Sequence, residues 1–375
     1  MNIDDRTEEA LAATKQNPGS PFYPQSDTSK TISTQTGVLE KLRALSINSH
    51  VDEMRKTAKN AIHIAGRMAL AGQITVFFAG PNTGKTLITL KLIAEAVANG
   101  TAGKNVYHIN LDDTYEGLIT KADIGNRHGV EVLTQNKFPS PNENFAELVA
   151  ALVKEDTASE TVFIMDTIKK FVDVMDKKAS SQFMNTCRKL TSAGGSIIAL
   201  AHTNKNKDGD NKAIPAGTSD VLDDCDCAYV MDIVDEQKVV GGTMRTVEFR
   251  QEKSRGPVVQ EALYSYTKYD DSDYERMFYS VKLIDGNEAD LLRARTALNI
   301  ERDKDANLIK VICDALKSSS EWIQKDLVIE ITNDASFPRR KVHDCLKRWS
   351  CPADEGGLWA MSKGPHNSNI FKLNQ

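Results

Sequence analysis

The residues with the most specific chemistry lie in one short segment near position 80. An apolar run at 74–78 precedes the segment, and a helical pattern follows it from Lys85. Where a strand turns into a helix, backbone N–H groups at the helix amino terminus can bind phosphate oxygens. The segment consists of Ala79, Gly80, Pro81, Asn82, Thr83, Gly84, Lys85 and Thr86. We predict that it forms a phosphate-binding loop.

Two side chains of this 79–86 loop, together with a distant carboxylate, predict a nucleoside triphosphate and Mg²⁺ as ligands. Lys85 would neutralise the β- and γ-phosphates, and the Thr86 hydroxyl would bind the metal. Asp166 follows an apolar strand at 162–165 and would supply the second metal anchor. The strict motif begins with Gly, where this chain has Ala79, a common substitution. Apolar runs that end in Asp are common, so the role of Asp166 depends on the loop.

A pair of acidic residues ends the strand predicted at 106–111. Asp112 and Asp113 would lie at the carboxyl edge of a parallel sheet, where open α/β sheets bind their ligands. One of the two would orient or deprotonate a water molecule for hydrolysis. The alternative is that the pair caps the helix predicted at 114–119.

At these positions the chain resembles the RecA-like ATPases, in which a carboxylate on this strand activates water. Those proteins usually have Glu where this chain has Asp112, which is shorter by one methylene. Either Asp112 acts through a displaced water, Asp113 acts instead, or turnover is slow. The resemblance also implies that His202, after the strand predicted at 197–201, senses the γ-phosphate. A structural role is the alternative for a His at a strand end.

The same resemblance assigns roles to two groups of basic residues. The 203–219 loop corresponds to a loop that lines a central pore and binds the nucleic-acid backbone, and its basic residues are Lys205, Lys207 and Lys212. Acidic neighbours make a solvated surface loop the alternative. Lys253 and Arg255, after the strand predicted at 246–250, resemble the finger residues of hexameric RecA-like helicases, which reach the γ-phosphate of a neighbouring subunit. The alternative is an ordinary turn with exposed basic residues.

The order of the elements predicts an α/β fold with a mainly parallel sheet. Between about residues 70 and 285, short apolar runs alternate with helical stretches. Antiparallel strands then extend the sheet, at 238–240, 244–250, 258–266 and 277–284, with Gly241 and Gly242 forming the turn between the first two. The resemblance implies that this fold is a RecA-like P-loop NTPase core with an antiparallel extension.

The chain divides into five predicted segments. They are a flexible tail at 1–37, a helical arm at 38–70, the ATPase core at 71–298, a charged linker at 299–305 and a closing module at 306–375. The arm packs on its own domain or docks on a neighbouring subunit. The closing module resembles a winged helix, and its third helix would contact DNA through Arg339, Arg340 and Lys341. Docking of another protein is the alternative for this module.

Composition excludes several classes of protein. The chain has 375 residues, 26% of them charged, and no uncharged apolar stretch of ~18 residues that could span a membrane. Its amino terminus lacks the pattern of a signal peptide, so we expect a cytoplasmic protein. Six cysteines are too few for a disulfide scaffold, and Cys225 and Cys227 are predicted to be small buried groups. With a net charge of −5, contact with DNA requires a local basic patch.

The resemblance is closest to the KaiC/RepA-like branch, the AAA-labelled ATPases of plasmids, phages and integrative elements, which includes hexameric replicative helicases. It implies a Mg²⁺-dependent ATPase that binds ATP, assembles as a homo-oligomeric ring, a hexamer, and moves along or unwinds DNA held as a single strand in a central pore. Replication proteins are the implied partners. Two alternatives stay open. One is an ATP-switched DNA-binding or helicase-loading protein without unwinding activity, and the other is a recombinase, which the lack of a polymerisation motif disfavours.

Overall fold

The computed structural model describes residues 38–46, 48, 51–52, 61–204, 206, 213–216, 219–319, 321–335, 337–352 and 356–374. The chain divides into two compact units, Met1–Asp285 and Gly286–Gln375. The tail predicted at 1–37 lies outside the described residues. None of the helices in the described ranges combines the length and the apolar composition that crossing a bilayer requires.

The first unit is built on one large sheet. Its strands are β1 (His63–Ala65), β2 (Ala69–Leu70), β3 (Ile74–Ala79), β4 (Asn105–Asn110), β5 (Glu131–Thr134), β6 (Thr161–Asp166), β7 (Ser196–His202), β8 (Cys227–Val239), β9 (Gly242–Lys253), β10 (Glu261–Tyr269) and β11 (Lys282–Ile284). Strands β3 to β11 form the large sheet, in the order β11-β10-β9-β8-β3-β7-β6-β4-β5, and β1 and β2 form a separate two-stranded sheet. Pairs from β8 to β5 are parallel and pairs from β11 to β8 are antiparallel. The predicted α/β fold, with a largely parallel sheet and an antiparallel extension, is confirmed.

Helices cover both faces of this sheet. Those that pack on it are α2 (Lys85–Ala98), α3 (Tyr115–His128), α4 (Pro141–Lys154), α5 (Lys177–Ser192), α6 (Ser219–Asp224) and α7 (Tyr274–Ser280). The apolar residues of a further helix, α1 (Val38–Ala44), are exposed. All six residues of β3 are buried, with Phe77 in one apolar cluster and Val76 and Phe78 in another. Because side chains alternate along a strand, burial on both faces requires apolar residues at almost every position. This is why the central strands were visible as continuous apolar runs.

The segment predicted as a helical arm ends in a hairpin. β1 and β2 pair with each other, and the turn between them contains Gly66, whose φ is +53°. Ile64 and Met68 are buried in the core of the first unit. The arm prediction is therefore wrong for 63–70, because a glycine turn and core contacts favour a hairpin here. Residues 53–60, in the middle of the predicted arm, lie outside the described ranges.

The last predicted strand of the extension, 277–284, is also wrong in its first half. α7 occupies Tyr274–Ser280, and only Lys282–Ile284 is a strand. The side chain of Asp273 accepts a hydrogen bond from the backbone N–H of Arg276 at 3.0 Å, and so caps the helix. Asp is a favoured residue at a helix amino cap, so the signal for this helix was present in the sequence.

The second unit combines three helices with a small sheet. Its elements are α8 (Gly286–Ser318), β12 (Trp322–Ile323), α9 (Gln324–Ala335), α10 (Arg339–Arg348), β13 (Trp359–Lys363) and β14 (Asn369–Leu373). The strands pair antiparallel in the order β12-β14-β13. Trp349 and Trp359 are fully buried at the centre of this unit, with Ile312 and Leu346 in the same cluster.

The charged linker predicted at 299–305 lies inside α8 instead. Asp305 is buried, and its carboxylate accepts hydrogen bonds from Arg348 Nη1 at 2.7 Å and from Trp349 Nε1 at 3.0 Å. Arg348 also pairs with Glu301 at 3.1 Å. A buried carboxylate requires such partners, and here they lie more than 40 residues later in the chain. The charges of this segment therefore hold a helix in place.

Candidate functional site

A cavity of about 360 Å³ lies at the carboxyl edge of the parallel strands of the first unit. Residues 80–86, Asp112, Asp113, Asp166 and His202 line it. Strand register explains how they meet, because Ala79 on β3 pairs with His202 on β7, and Asn110 on β4 pairs with Asp166 on β6. The structure thus brings together the predicted loop, the three predicted carboxylates Asp112, Asp113 and Asp166, and His202, the predicted sensor.

The 79–86 loop has a backbone that a glycine must supply. Gly84 has a φ of +91°, and a Cβ there would lie 2.7 Å from the ring of Tyr266. The hydroxyl of Thr83 donates to the carbonyl oxygen of Gly80 at 2.9 Å, which closes the loop on itself. α2 begins directly afterwards at Lys85, and the first N–H groups of a helix have no acceptor within it. These groups are donors for an anion in the cavity.

One carboxylate stands at the centre of the site. Asp166 Oδ2 accepts a hydrogen bond from the Thr86 hydroxyl at 2.6 Å, and His108 Nε2 lies 3.4 Å from the same oxygen. Asp166 is 5% exposed and His108 is 1% exposed. Burial alone would raise the pKa of Asp166, but the adjacent His108, the hydrogen bond from Thr86 and the charge of Lys85 keep that pKa below its ordinary value. Asp166 is therefore ionised and positioned at neutral pH.

The donor set at this carboxylate suits Mg²⁺. A hydroxyl oxygen and a carboxylate oxygen, 2.6 Å apart, belong to the hard oxygen ligands that Mg²⁺ prefers. Among the described residues no group of three or more His, Cys, Asp or Glu side chains could hold a metal ion alone. Mg²⁺ usually takes one or two protein oxygens together with water and phosphate oxygens.

Lys85 and His202 face the cavity as partly desolvated groups. Burial lowers the pKa of Lys85, while the charge of Asp166 opposes that effect. Burial also lowers the pKa of His202, and the charges of Lys85 and Lys169 lower it further. His202 Nε2 is buried and has no hydrogen-bond partner within the described chain. Because buried polar atoms are normally paired, this nitrogen suits a hydrogen bond to a ligand.

The two acidic positions after β4 have different partners. Asp112 pairs with Lys170 at 2.9 Å and with Lys169 at 3.6 Å. Burial would raise the pKa of Asp112, but the hydrogen bond from Lys170 and the charges of both lysines hold it below its ordinary value. Asp113 pairs with Lys121 and accepts a hydrogen bond from the backbone N–H of Thr114 at 3.0 Å. Both residues line the cavity, and the cap of α3 is the side chain of Thr114, which accepts from the Gly117 N–H at 3.3 Å, rather than either acidic residue.

The antiparallel extension contributes cavity residues that sequence reasoning missed. Arg245 Nη1 donates to the carbonyl oxygen of Asn82 at 2.9 Å, and the hydroxyl of Tyr266 lies 3.3 Å from the same oxygen. Both side chains line the cavity, as does Lys121. The sequence did not indicate these residues, because more than 160 residues separate the loop from β9 and β10, and only the pairing of the strands brings them together. His108 was missed because a lone His in a strand carries no spacing that predicts a role.

Lys253 and Arg255 do not join this cavity in the same chain. Lys253 pairs with Ala228 at the start of β8, which lies beside the start of β3, whereas the 79–86 loop follows the end of β3. Arg255 Nη1 lies 3.2 Å from the buried carboxylate of Asp226. The Lys253 ammonium donates to the carbonyl oxygens of residues 222 and 223. The two residues therefore occupy the opposite edge of the sheet.

The residues predicted to contact nucleic acid are only partly described. Lys205, Lys207 and Lys212 lie outside the described residues. Arg339, Arg340 and Lys341 form the first turn of α10 in the second unit, and all three are exposed. Arg340 lies 4.0 Å from Asp344, a contact between exposed groups that contributes little. These three side chains form a small basic surface.

Comparison with known proteins adds no assignment. No protein-family model matches the chain, and no curated protein matches it either.

Proposed function

We propose that the first unit is a Mg²⁺-dependent ATPase with a RecA-like P-loop core. The observation that carries this proposal is the 2.6 Å hydrogen bond from Thr86 to Asp166 beside the 79–86 loop. It joins a hydroxyl and a carboxylate that are 80 residues apart in the chain, at the amino terminus of a helix. A metal-bound triphosphate needs this combination of a phosphate loop, a hydroxyl and a strand-end carboxylate.

Each cavity residue has a role in this proposal. The N–H groups of the loop and the ammonium of Lys85 would bind phosphate oxygens. Thr86 and Asp166 would hold Mg²⁺, which balances the charge that develops on the phosphate oxygens. Asp112 would orient the attacking water, because Asp113 is held by Lys121, which is only 10% exposed, whereas the lysines beside Asp112 are 45% and 37% exposed. His202, neutral at pH 7 because its pKa is lowered, would hydrogen-bond the γ-phosphate.

ATP turnover of the Lys85→Ala variant tests the site. Removing one group that stabilises transition-state charge should lower the turnover rate by roughly 100- to 1,000-fold. Lys104→Ala is a matched control, because Lys104 is an exposed lysine of the same unit that pairs with Glu160 away from the cavity. Wild-type activity should also require Mg²⁺. Turnover that persists in Lys85→Ala, or that needs no divalent ion, would remove this assignment.

The wider proposal is a homo-oligomeric ring, a hexamer, that moves along or unwinds DNA, as in replicative helicases of mobile elements. Its support is the location of Lys253 and Arg255 at the sheet edge opposite their own loop, from which they could reach the γ-phosphate only of another copy. The order helix, strand, helix, helix, strand, strand in the second unit supports a winged helix. Its exposed Arg339, Arg340 and Lys341 would contact DNA phosphates, while Lys205, Lys207 and Lys212 are the proposed pore contacts.

A nucleotide switch without motor activity is the second candidate. The two ion pairs of Asp112 favour it, because a carboxylate held by two lysines is a weaker base and slow hydrolysis suits a switch. A forked-duplex assay separates the candidates. A motor should separate the strands with ATP and hydrolyse ATP faster on single strands. A switch should bind DNA in a nucleotide-dependent way and separate nothing. A recombinase would instead exchange strands between duplexes.

A further inference from the structure

A pair of lysines stands beside the cavity without a role in the proposed function. Lys169 and Lys170 end a single 3₁₀ turn, Ile168–Lys170, that begins two residues after Asp166. Lys170 Nζ lies 2.9 Å from Asp112 Oδ1, and Lys169 Nζ lies 3.6 Å from Asp112 Oδ2. One carboxylate therefore carries two ammonium groups, and the pair of lysines leaves an excess positive charge at this point.

This excess charge lies next to the cavity, although neither lysine belongs to the cavity lining. Asp112 itself lines the cavity with Lys85 and His202, so both ammonium groups lie within 3.6 Å of a cavity-lining oxygen. The positive charge of Lys169 also acts on two cavity residues: together with burial, it lowers the pKa of Lys85 and the pKa of His202. The lysine side chains are 45% and 37% exposed. Their flexible stems are therefore free to move over short distances.

We propose that Lys169 and Lys170 bind the γ-phosphate from within the same chain, and that its oxygens replace Asp112 as their partner. This inference rests on the proposed function. A terminal phosphate carries more negative charge than one carboxylate and offers three acceptor oxygens to the three donors of each ammonium group. Ion pairs at this exposure are weak, so the exchange costs little.

The exchange has a consequence for catalysis. Asp112 loses both of its ammonium partners when they bind phosphate, and its carboxylate can then accept a hydrogen bond from water. Lys169 and Lys170 would thereby make the activation of water depend on the presence of a γ-phosphate. ADP has no γ-phosphate, so the two lysines would distinguish ATP from ADP.

The ratio of ATP affinity to ADP affinity tests this assignment. Titration calorimetry with Mg²⁺ would compare wild type, Lys169→Ala, Lys170→Ala and the double variant, using a non-hydrolysable ATP analogue and ADP. We expect the double variant to lose about tenfold in affinity for the triphosphate and to keep its affinity for ADP, as the loss of charge-assisted hydrogen bonds to one group predicts. Lys189→Ala is the matched control, because Lys189 is an exposed lysine of α5.

Adding Asp112→Asn to the double variant tests whether the lysines act only through Asp112. If the lysines only neutralise Asp112, the loss should disappear when Asp112→Asn is added to the double variant. If they bind phosphate, the loss should persist. An unchanged ratio, or an equal loss for both nucleotides, would overturn the assignment while leaving nucleotide binding intact. Wild-type protein that binds neither nucleotide would instead overturn the proposed function, and this inference with it.

Discussion

The chemistry of the site converges on a few atoms around Asp166. The hydroxyl of Thr86 and the imidazole of His108 both contact its Oδ2 atom. Sequence reasoning predicted Thr86 and Asp166, because each occupies a defined place in a motif whose order along the chain is informative. It missed His108, because this residue reaches Asp166 only through the pairing of β4 with β6. Motifs can be recognised from the order of residues along the chain. The register of the paired strands determines which other side chains lie next to them.

At the residue scale, His202 should make stability depend on pH. Its pKa in the folded protein lies below its ordinary value of about 6.5, with burial as the first cause. Between those two values the unfolded chain binds more protons, so stability falls as pH drops below about 6.5. Urea unfolding at pH 7.5 and pH 5.5 should therefore show a larger loss for wild type than for His202→Gln. Equal losses in the two proteins would show that His202 is not held in its neutral form.

At the scale of elements, burial decided what the sequence could predict. β3, β6 and β7 were found because apolar residues occupy nearly every position. The hairpin formed by β1 and β2 was taken for a helix, because its strands have only three and two residues and no period can be measured over so short a span. α8 crosses the predicted linker because Asp305 is stabilised by Arg348 and Trp349, whose contacts a linear pattern does not contain.

The location of Arg255 predicts that this residue acts on the nucleotide of a neighbouring copy. The loop after β9 holds it away from its own cavity, so Arg255→Lys should bind ATP normally and lose hydrolysis by roughly 10³-fold, because an ammonium lacks the forked geometry of a guanidinium. Lysine keeps a positive charge beside Asp226, which limits any effect on folding. Mixed with wild type, the variant should reduce turnover more than in proportion to its share. Strictly proportional rates would contradict action on a neighbouring copy, and Arg302→Ala serves as the control.

In the whole molecule, the cavity and the basic surface belong to different units. Met1–Asp285 contains the cavity and all of its lining residues, so the proposed ATPase belongs to this unit. Gly286–Gln375 has its own buried core and a basic surface at the start of α10. The boundary predicted from the charged run near residue 300 is too late, because this run lies within α8, where Glu301 and Asp305 pair with Arg348 of the same unit.

The decisive experiment is the structure of the protein with Mg²⁺ and a non-hydrolysable ATP analogue, because it locates the phosphates and the metal together. The account predicts phosphate oxygens on the N–H groups of residues 80–86, the γ-phosphate beside Lys85, and Mg²⁺ about 2.1 Å from Thr86 Oγ1 with Asp166 in its immediate surroundings. A nucleotide bound elsewhere on the chain, or a metal ion that avoids both Thr86 and Asp166, would contradict it.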